Sequence, residues 1–331
     1  MRNLTEFSPG LCERSFPSPS LLQSAECAPT RRVDAQGRLT IECADEKFSF
    51  PMSAQERPEE PNESPQPAAE NVPTSQPKVS KINGTFGNVY EDEERARAYA
   101  TLQFPGTYYL AFRDLPALIR RFNHGSRALD FGCGTGRSTR FLRNLGLSVV
   151  GADISQAMLD QARALDTSGE YHLVRDTIAG EFAPGSFDVI LAAFTFDNMP
   201  TEAKADALSA LRILLASDGG LLLVVSSPAI YINEWASFST RDFPENRYAA
   251  DGDRVRIIML DVPDHRPIED VLCTDAHYRR LFESAGLRVL DIQSPLATGK
   301  EATRWVSETR TAAWTIYVLA SSSHREATSI A

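Results

Sequence analysis

The sequence predicts an α/β domain built on a parallel sheet with helices on both faces. Three observations carry this. From Arg127 onward, short apolar runs alternate with segments of helical pattern. The runs are almost continuously apolar, as strands covered on both faces must be. Glycines and helix-capping residues mark the joints between them.

Each element follows in turn. Tyr90 to Phe104 (YEDEERARAYATLQF) has a helix-forming composition, and Asp114 to Phe122 (DLPALIRRF) has helical spacing of its apolar residues. RALDF (127–131) reads as a buried strand, followed by a helix that Gly146 ends. LSVVGAD (147–153) is a second strand, and Ser155 caps the helix after it. YHLV (171–174) and FDVILAAF (187–194) are the third and fourth strands. An amphipathic helix over 201–215, capped by Thr201, leads through the turn Asp218-Gly219-Gly220 to a fifth strand, LLLVVSS (221–227). Residues 228–273 are less regular, with two strands expected on either side of a turn at Pro263–Pro267. A helix over 274–287, capped by Thr274 and stopped by Gly286, precedes closing strands at 287–292 and 312–320. Right-handed crossovers then bring the loops after the first, second and fourth strands to one edge, where ligands of open sheets bind.

The chain changes character near residue 84. Eleven of its twenty prolines fall within residues 1–80, and Gln55 to Lys78 is rich in Pro, Glu, Ser and Gln. Such a segment cannot bury enough apolar surface to offset its chain entropy. The expected organisation is a disordered tail over 1–84, a folded domain over 85–321 and a short disordered tail over 322–331. Within the first tail, Arg38 to Phe50 alternates weakly, as a marginal hairpin would. Two readings of this tail stay open: translation from Met52, or recruitment of a protein partner of unknown identity.

The net charge is −10 across 331 residues, which argues against nucleic acid as the main partner. No apolar run is long enough for a membrane helix. The N-terminal stretch lacks the apolar core of a secretory signal and carries Glu6 and Glu13. Five scattered cysteines, at 12, 27, 43, 133 and 273, show no metal-ligand spacing. Reduced thiols in a cytoplasmic protein without a metal centre are the expectation.

The informative stretch is LDFGCGTGRSTRFL, at the carboxyl end of the first strand of this alternation. Its glycines, 132, 134 and 136, give G-x-G-x-G; a dinucleotide fingerprint needs its third glycine where Arg137 stands. Asp130 adds to the mismatch. A carboxylate about 4 Å from a pyrophosphate charge is repelled by roughly 4 kcal/mol at an effective dielectric near 20. A ligand with an ammonium group removes the conflict. S-adenosylmethionine has one, with a sulfonium and no phosphate, and its carboxylate suits the helix N-terminus after Gly136. Asp153, about twenty residues beyond the glycines, is placed to accept ribose hydroxyls. Asp176 follows the third strand and can accept from the adenine amino group.

With these residues in place the chain resembles the class I S-adenosylmethionine-dependent methyltransferases. LDFGCGTG matches the family's first motif, VVGADIS its second-strand acidic motif, FDVILAAF its fourth-strand motif and LLASDGGLLLVV its late strand. The resemblance spans roughly residues 113–320. It implies a Rossmann-like, doubly wound seven-stranded sheet whose last strand is antiparallel. It also implies that Asp130, Gly132, Gly134 and Gly136 form the methionine pocket, that Asp153 and Ile154 serve ribose and adenine, that Asp176 and Thr177 contact adenine, and that Phe194 borders the methionine part.

Methyl transfer is an in-line displacement that depends on alignment. A hydroxyl acceptor also needs a base. The expected substrate contacts are Tyr108, Tyr109, Asn198, Glu234, Trp235 and Arg241, with residues 228–273 as a lid. Asp197 is the leading candidate for a substrate-facing acid, with His265 and His277 as further candidates for a base. The loop 194–200 lacks the Pro-Pro-aromatic pattern of enzymes that methylate amino groups of DNA bases or protein glutamine. The expected acceptor is therefore a small molecule. A catalytically silent cofactor-binding module and a nicotinamide-dependent dehydrogenase are the competing readings.

Overall fold

The computed structural model describes residues 91–104, 106–123 and 125–322, and the backbone of 30–33, 38–43 and 46–51. In the first 79 residues, strands β1 (Thr30–Val33), β2 (Arg38–Cys43) and β3 (Glu46–Pro51) pair antiparallel as a meander. The sequence suggests only a hairpin over 38–50 there. The rest of the expected 1–84 tail, and the C-terminal tail from 323, lie outside the described residues.

The second unit, residues 80–331, contains the alternation. Three helices come first: α1 (Glu93–Ala100), α2 (Gly106–Arg113) and α3 (Leu115–Phe122). Then follow β4 (Arg127–Phe131), α4 (Arg137–Asn144), β5 (Ser148–Asp153), α5 (Gln156–Leu165), β6 (Glu170–Leu173), α6 (Ile178–Glu181), β7 (Phe187–Ala193), α7 (Thr201–Leu214) and β8 (Leu215–Ser226). After the segment 227–274 come α8 (Asp275–Ser284), β12 (Leu287–Gln293) and β13 (Trp314–Ser321).

Seven of the strands form one sheet in the order β12-β13-β8-β7-β4-β5-β6. β4 pairs in parallel with both β5 and β7, so the winding reverses at β4, the strand that ends in the glycine turn. β13 lies antiparallel between β8 and β12, as expected for the last strand. The apolar runs divide their side chains between the two faces. On β7 and β8, Val189, Leu191, Leu222 and Val224 enter one core cluster, while Ile190, Ala192, Leu221, Leu223 and Val225 enter the other. That two-sided burial is why these strands read as unbroken apolar runs.

Three local expectations need correcting or refining. Asp218-Gly219-Gly220 is no free turn: β8 starts at Leu215, and the three residues form an irregularity inside it, where the register jumps from Phe187↔Leu215 to Val189↔Gly220. The N-cap of α7 is Pro200 rather than Thr201, while Ser155 and Thr274 do cap α5 and α8, accepting from the N–H of Met158 and His277. The expected pair of strands in 228–273 exists, as β10 (Arg254–Met259) and β11 (Ile268–Val271), joined by a third short strand, β9 (Phe238–Ser239), in a separate antiparallel sheet. Among the described residues no helix is long and apolar enough to cross a membrane.

Candidate active site

The glycine turn hangs on two strands at once. The N–H groups of Gly132 and Cys133 donate to Ala152 O at 2.7 and 3.0 Å, tying the end of β4 to β5. Gly134 N donates to Asp153 Oδ2 at 2.8 Å, and Ser155 N donates to Asp153 Oδ1 at 2.8 Å. Gly132 has φ +70°, and a Cβ there would lie 2.2 Å from Thr195 Cγ2, so no other residue fits without displacing β7's exit. Gly134, at φ +53°, faces open space: an added Cβ would meet only the Tyr99 ring, at 3.9 Å. The turn is therefore crowded behind and clear in front.

In front of it lies a cavity that opens to solvent. Gly132, Gly134, Asp153, Ile154, Met158, Val174, Phe194 and Asn198 are among the residues that line it. The mostly apolar wall with few polar groups suits a nucleoside. Burial raises the Asp153 carboxyl above its ordinary value, against the pull of its backbone donors.

Asp130 takes a different place from the one expected. It is fully buried behind the turn and does not line the cavity. Its Oδ2 accepts from Ser138 Oγ at 2.7 Å and Thr139 Oγ1 at 2.6 Å, both in the first turn of α4, and its Oδ1 has no protein partner. Burial pushes its carboxyl up to about 6. Its influence on a ligand is thus through the field, not by contact. Together with Asp153 it still places two carboxylates around one turn, which favours a cationic headgroup and opposes a diphosphate.

A second, narrower cavity adjoins the first. Tyr99, Phe194 and Asn198 line both. The second is walled by Tyr108, Phe238 and Trp314, by Ile230, Ile257, Met259 and Ile268, and by two acids, Asp197 and Asp270. Asp197 is 7% exposed; its Oδ1 accepts from Ser226 N and its Oδ2 from Ser226 Oγ, each at 2.9 Å. Asp270 accepts from the Tyr231 hydroxyl at 3.0 Å. Burial, then the neighbouring Asp270 charge, pushes Asp197 up to about 8, and burial pushes Asp270 up to about 6. Phe194 has φ +64°, rare for a residue with a side chain, and its ring meets those of Trp314 at 4.7 Å and Tyr108 at 5.5 Å.

The structure thus brings together Gly132, Gly134, Asp153, Ile154, Phe194, Asn198, Tyr108 and Asp197. Others stand apart. Gly136, at φ +75°, is the N-cap of α4 and lines neither cavity. Asp176 and Thr177 are exposed and also outside both, because the chain turns away after Val174 into the short α6. Tyr109 is on the outer face of α2, and Trp235 is core, its indole N–H donating to Ile230 O. Glu234 and Arg241 line a third hollow with Asn233 and Arg247. His265 is exposed on the turn between β10 and β11. His277 sits at the start of α8, 3.6 Å from Asp251. Neither histidine reaches a cavity. Asp251, Cys273 and His277 bring ligand atoms within 4.8 Å of one another, but Asp251 is already engaged by Thr274 N and Oγ1 at a helix N-terminus, where the backbone field opposes a cation.

Sequence reasoning missed Asp270, Tyr99 and Trp314, while Phe238, which it named as a water-excluding aromatic, does line the second cavity. Asp270 had a readable signal. In PIEDVL, Ile268, Asp270 and Leu272 share one face of a strand and are buried, so an acid occupies an inward position.

Comparison with known proteins bears on the same residues. The family described as "Methyltransferase domain" matches residues 128–219, from β4 into β8. Among curated proteins, the chain is 32% identical over 126 residues to 2-methyl-6-phytyl-1,4-hydroquinone methyltransferase of a Synechocystis strain, covering 37% of this chain and 36% of that protein. It is 44% identical over 127 residues to 18S rRNA (guanine-N(7))-methyltransferase of Bos taurus, covering 38% and 45%. The chain therefore spans less than half the length of these two relatives. Among solved structures, the CcbJ methyltransferase from Streptomyces caelestis is similar at 18% identity and a TM-score of 0.49, over 70% of this chain and 97% of that one. The glycine turn and the acid ending β5 both lie inside the matched segment, so residues 128–219 carry a methyltransferase domain.

Proposed function

We propose that this protein moves a methyl group from S-adenosylmethionine to a small organic acceptor. The observation that carries the reading is the pair of adjoining cavities with Tyr99, Phe194 and Asn198 common to both. The cofactor, when bound, supplies a methyl carbon activated by a positively charged sulfur. The first cavity fits it: backbone of Gly132 and Gly134 lets the methionine part lie close, Asp153 receives the ribose hydroxyls, and Ile154, Met158 and Val174 supply the apolar surface for the base. The second cavity holds the acceptor and excludes water with its aromatic wall, so that orientation does most of the work. Residues 228–273 act as the acceptor's lid, since Ile230, Phe238, Ile257, Met259, Ile268 and Asp270 all come from them.

The net charge of −10 and the aromatic lining of the second cavity support a small acceptor. The likeness to an rRNA methyltransferase makes RNA the acceptor to test against it. The test is transfer of a labelled methyl group to a size-fractionated cell extract, split into metabolites, protein and RNA. Label in the metabolite fraction supports the reading. Label confined to RNA removes the small-molecule acceptor, and failure to bind S-adenosylhomocysteine removes the whole proposal.

A further inference from the structure

We infer that the second cavity is built for a basic amine, so that the atom methylated is nitrogen. The inference rests on the methyl-transfer reading and names the substrate class of that same site.

Asp197 and Asp270 both line the cavity and are both buried. Lys204, on α7, is 0% exposed, donates from Nζ to Val271 O at 3.0 Å, and is the cation acting on both acids. Two carboxylates against one ammonium leave one negative charge in excess. An uncompensated charge in a dry interior is costly, and a proton or a bound cation relieves it. The other groups packed around the cluster do not supply one. Ser226 and Tyr231 donate as neutral groups. Cys273, beside Lys204, has its thiol pushed up to about 12 by burial and stays neutral. Glu269, next to Asp270 on β11, adds negative charge and is itself paired with Arg254. Asp251 is matched by His277 and Arg280. The raised carboxyls agree with this count: without a cationic guest the acid pair keeps a proton at neutral pH.

The walls refine the ligand. Tyr108, Phe238 and Trp314 pack with ring centroids 5.0–5.7 Å apart and line the cavity with the acids. Arg137 already lies over Tyr108 and Phe194, with its guanidinium carbon 4.8 and 6.0 Å from their centroids. The rings are therefore no vacant cation cage. The attraction for an ammonium comes from the acids, and Arg137 is held where it is by donating to Gln103 O.

The chemistry balances. An ammonium R–NH₃⁺ enters and displaces the pair's proton to solvent. It then gives one of its own protons to the pair and becomes R–NH₂. The nitrogen lone pair forms the new N–C bond while the C–S bond breaks, its electrons staying on sulfur. The products are R–NH₂⁺–CH₃ and neutral S-adenosylhomocysteine, with the pair protonated as at the start.

The test uses the full chain saturated with S-adenosylhomocysteine. Ethylamine, benzylamine, 2-phenylethylamine and tyramine are titrated calorimetrically against the matching alcohols, in phosphate and in Tris at pH 7. At least one amine is expected to bind about tenfold or more tighter than its alcohol, with release of a proton seen as a buffer-dependent heat. Asp270→Asn is expected to abolish both the preference and the proton release while leaving S-adenosylhomocysteine affinity unchanged. Should that variant not fold, the proton release of the unaltered protein decides alone. With S-adenosylmethionine, the amine and not the alcohol is expected to gain the label. Tight S-adenosylhomocysteine binding with no amine preferred, with the alcohols bound as well, or with no proton released, overturns the amine assignment and leaves the methyltransferase reading standing. Absence of S-adenosylhomocysteine binding overturns the methyltransferase reading itself.

Discussion

Replacing Asp153 with asparagine probes the cofactor cavity at the side chain that belongs both to its wall and to the turn beneath it. The carboxylate accepts from Gly134 N and Ser155 N, both at 2.8 Å. Hydrogen bonds to a charged acceptor contribute about 1.5–3 kcal/mol each. Asparagine keeps one acceptor but turns an NH₂ against the other N–H, so one bond is lost and two donors face each other. The ribose hydroxyls also lose a charged acceptor. The expected loss is about 2–4 kcal/mol of ligand binding, or roughly 30- to 1,000-fold in affinity for S-adenosylhomocysteine. The free protein is expected to lose less, because the neutral amide escapes the burial that raises Asp153's carboxyl. Calorimetric titration gives the affinity and a thermal melt the stability. An affinity within threefold of the unaltered protein, with an unchanged melt, would refute the assignment of this cavity to the cofactor.

Further predictions test the buried charges, the turn and the domain limits. Lys204→Met removes the cation beside two buried acids and is expected to cost about 3–5 kcal/mol in urea unfolding at pH 7.5, and less at pH 5.5, where the acids are protonated. The ligand-free protein is expected to lose stability as pH rises from about 5 to about 8. Asp197, Asp270 and Asp130 carry raised carboxyls in the fold, so the native state binds more protons than the unfolded chain across that window, and the slope is negative. Asp197→Asn should flatten it; a melt series that is equally steep in the variant counts against the buried-acid account. Gly132→Ala forces a side chain onto a backbone at φ +70° and against Thr195, at an expected cost of about 2–4 kcal/mol by denaturant unfolding. A chain starting at residue 85 is expected to keep its S-adenosylhomocysteine affinity within about twofold; a larger loss would join the first 84 residues to the site.

The sheet was legible because its signals are local and redundant. β5, β7 and β8 each show an unbroken apolar run and β4 one interrupted only by Asp130, and each run serves both core clusters. The positions of Gly132, Gly134 and Asp153 were legible for a similar reason: the turn and the end of β5 lie on neighbouring strands, so chain spacing fixes their proximity. Asp130 shows the limit. Sequence gives its position on β4 but not its direction, and Ser138 and Thr139, eight and nine residues on, turn it away from the cavity. The acceptor side was mostly illegible. Tyr99, Asp197, Asp270 and Trp314 meet only through long-range packing between α1, the loop after β7, β11 and β13, and no spacing along the chain encodes that meeting. Glu234, Trp235 and Arg241 carry the residue types of a binding site, yet local hydrogen bonds to Thr240, Ser239 and Ile230 use Glu234 and Trp235 within their own loop.

Phe194 borders both rooms of this molecule. Its backbone sits at φ +64°, where glycine would be the relaxed choice, and its side chain faces each compartment at their junction. A surface shared in this way is touched from both rooms. If a guest in either room stiffens that shared surface, two guests that touch Phe194 ease each other's arrival, and by the reciprocity of linkage each does so to the same degree. Emptying one room loosens the hold on what remains next door.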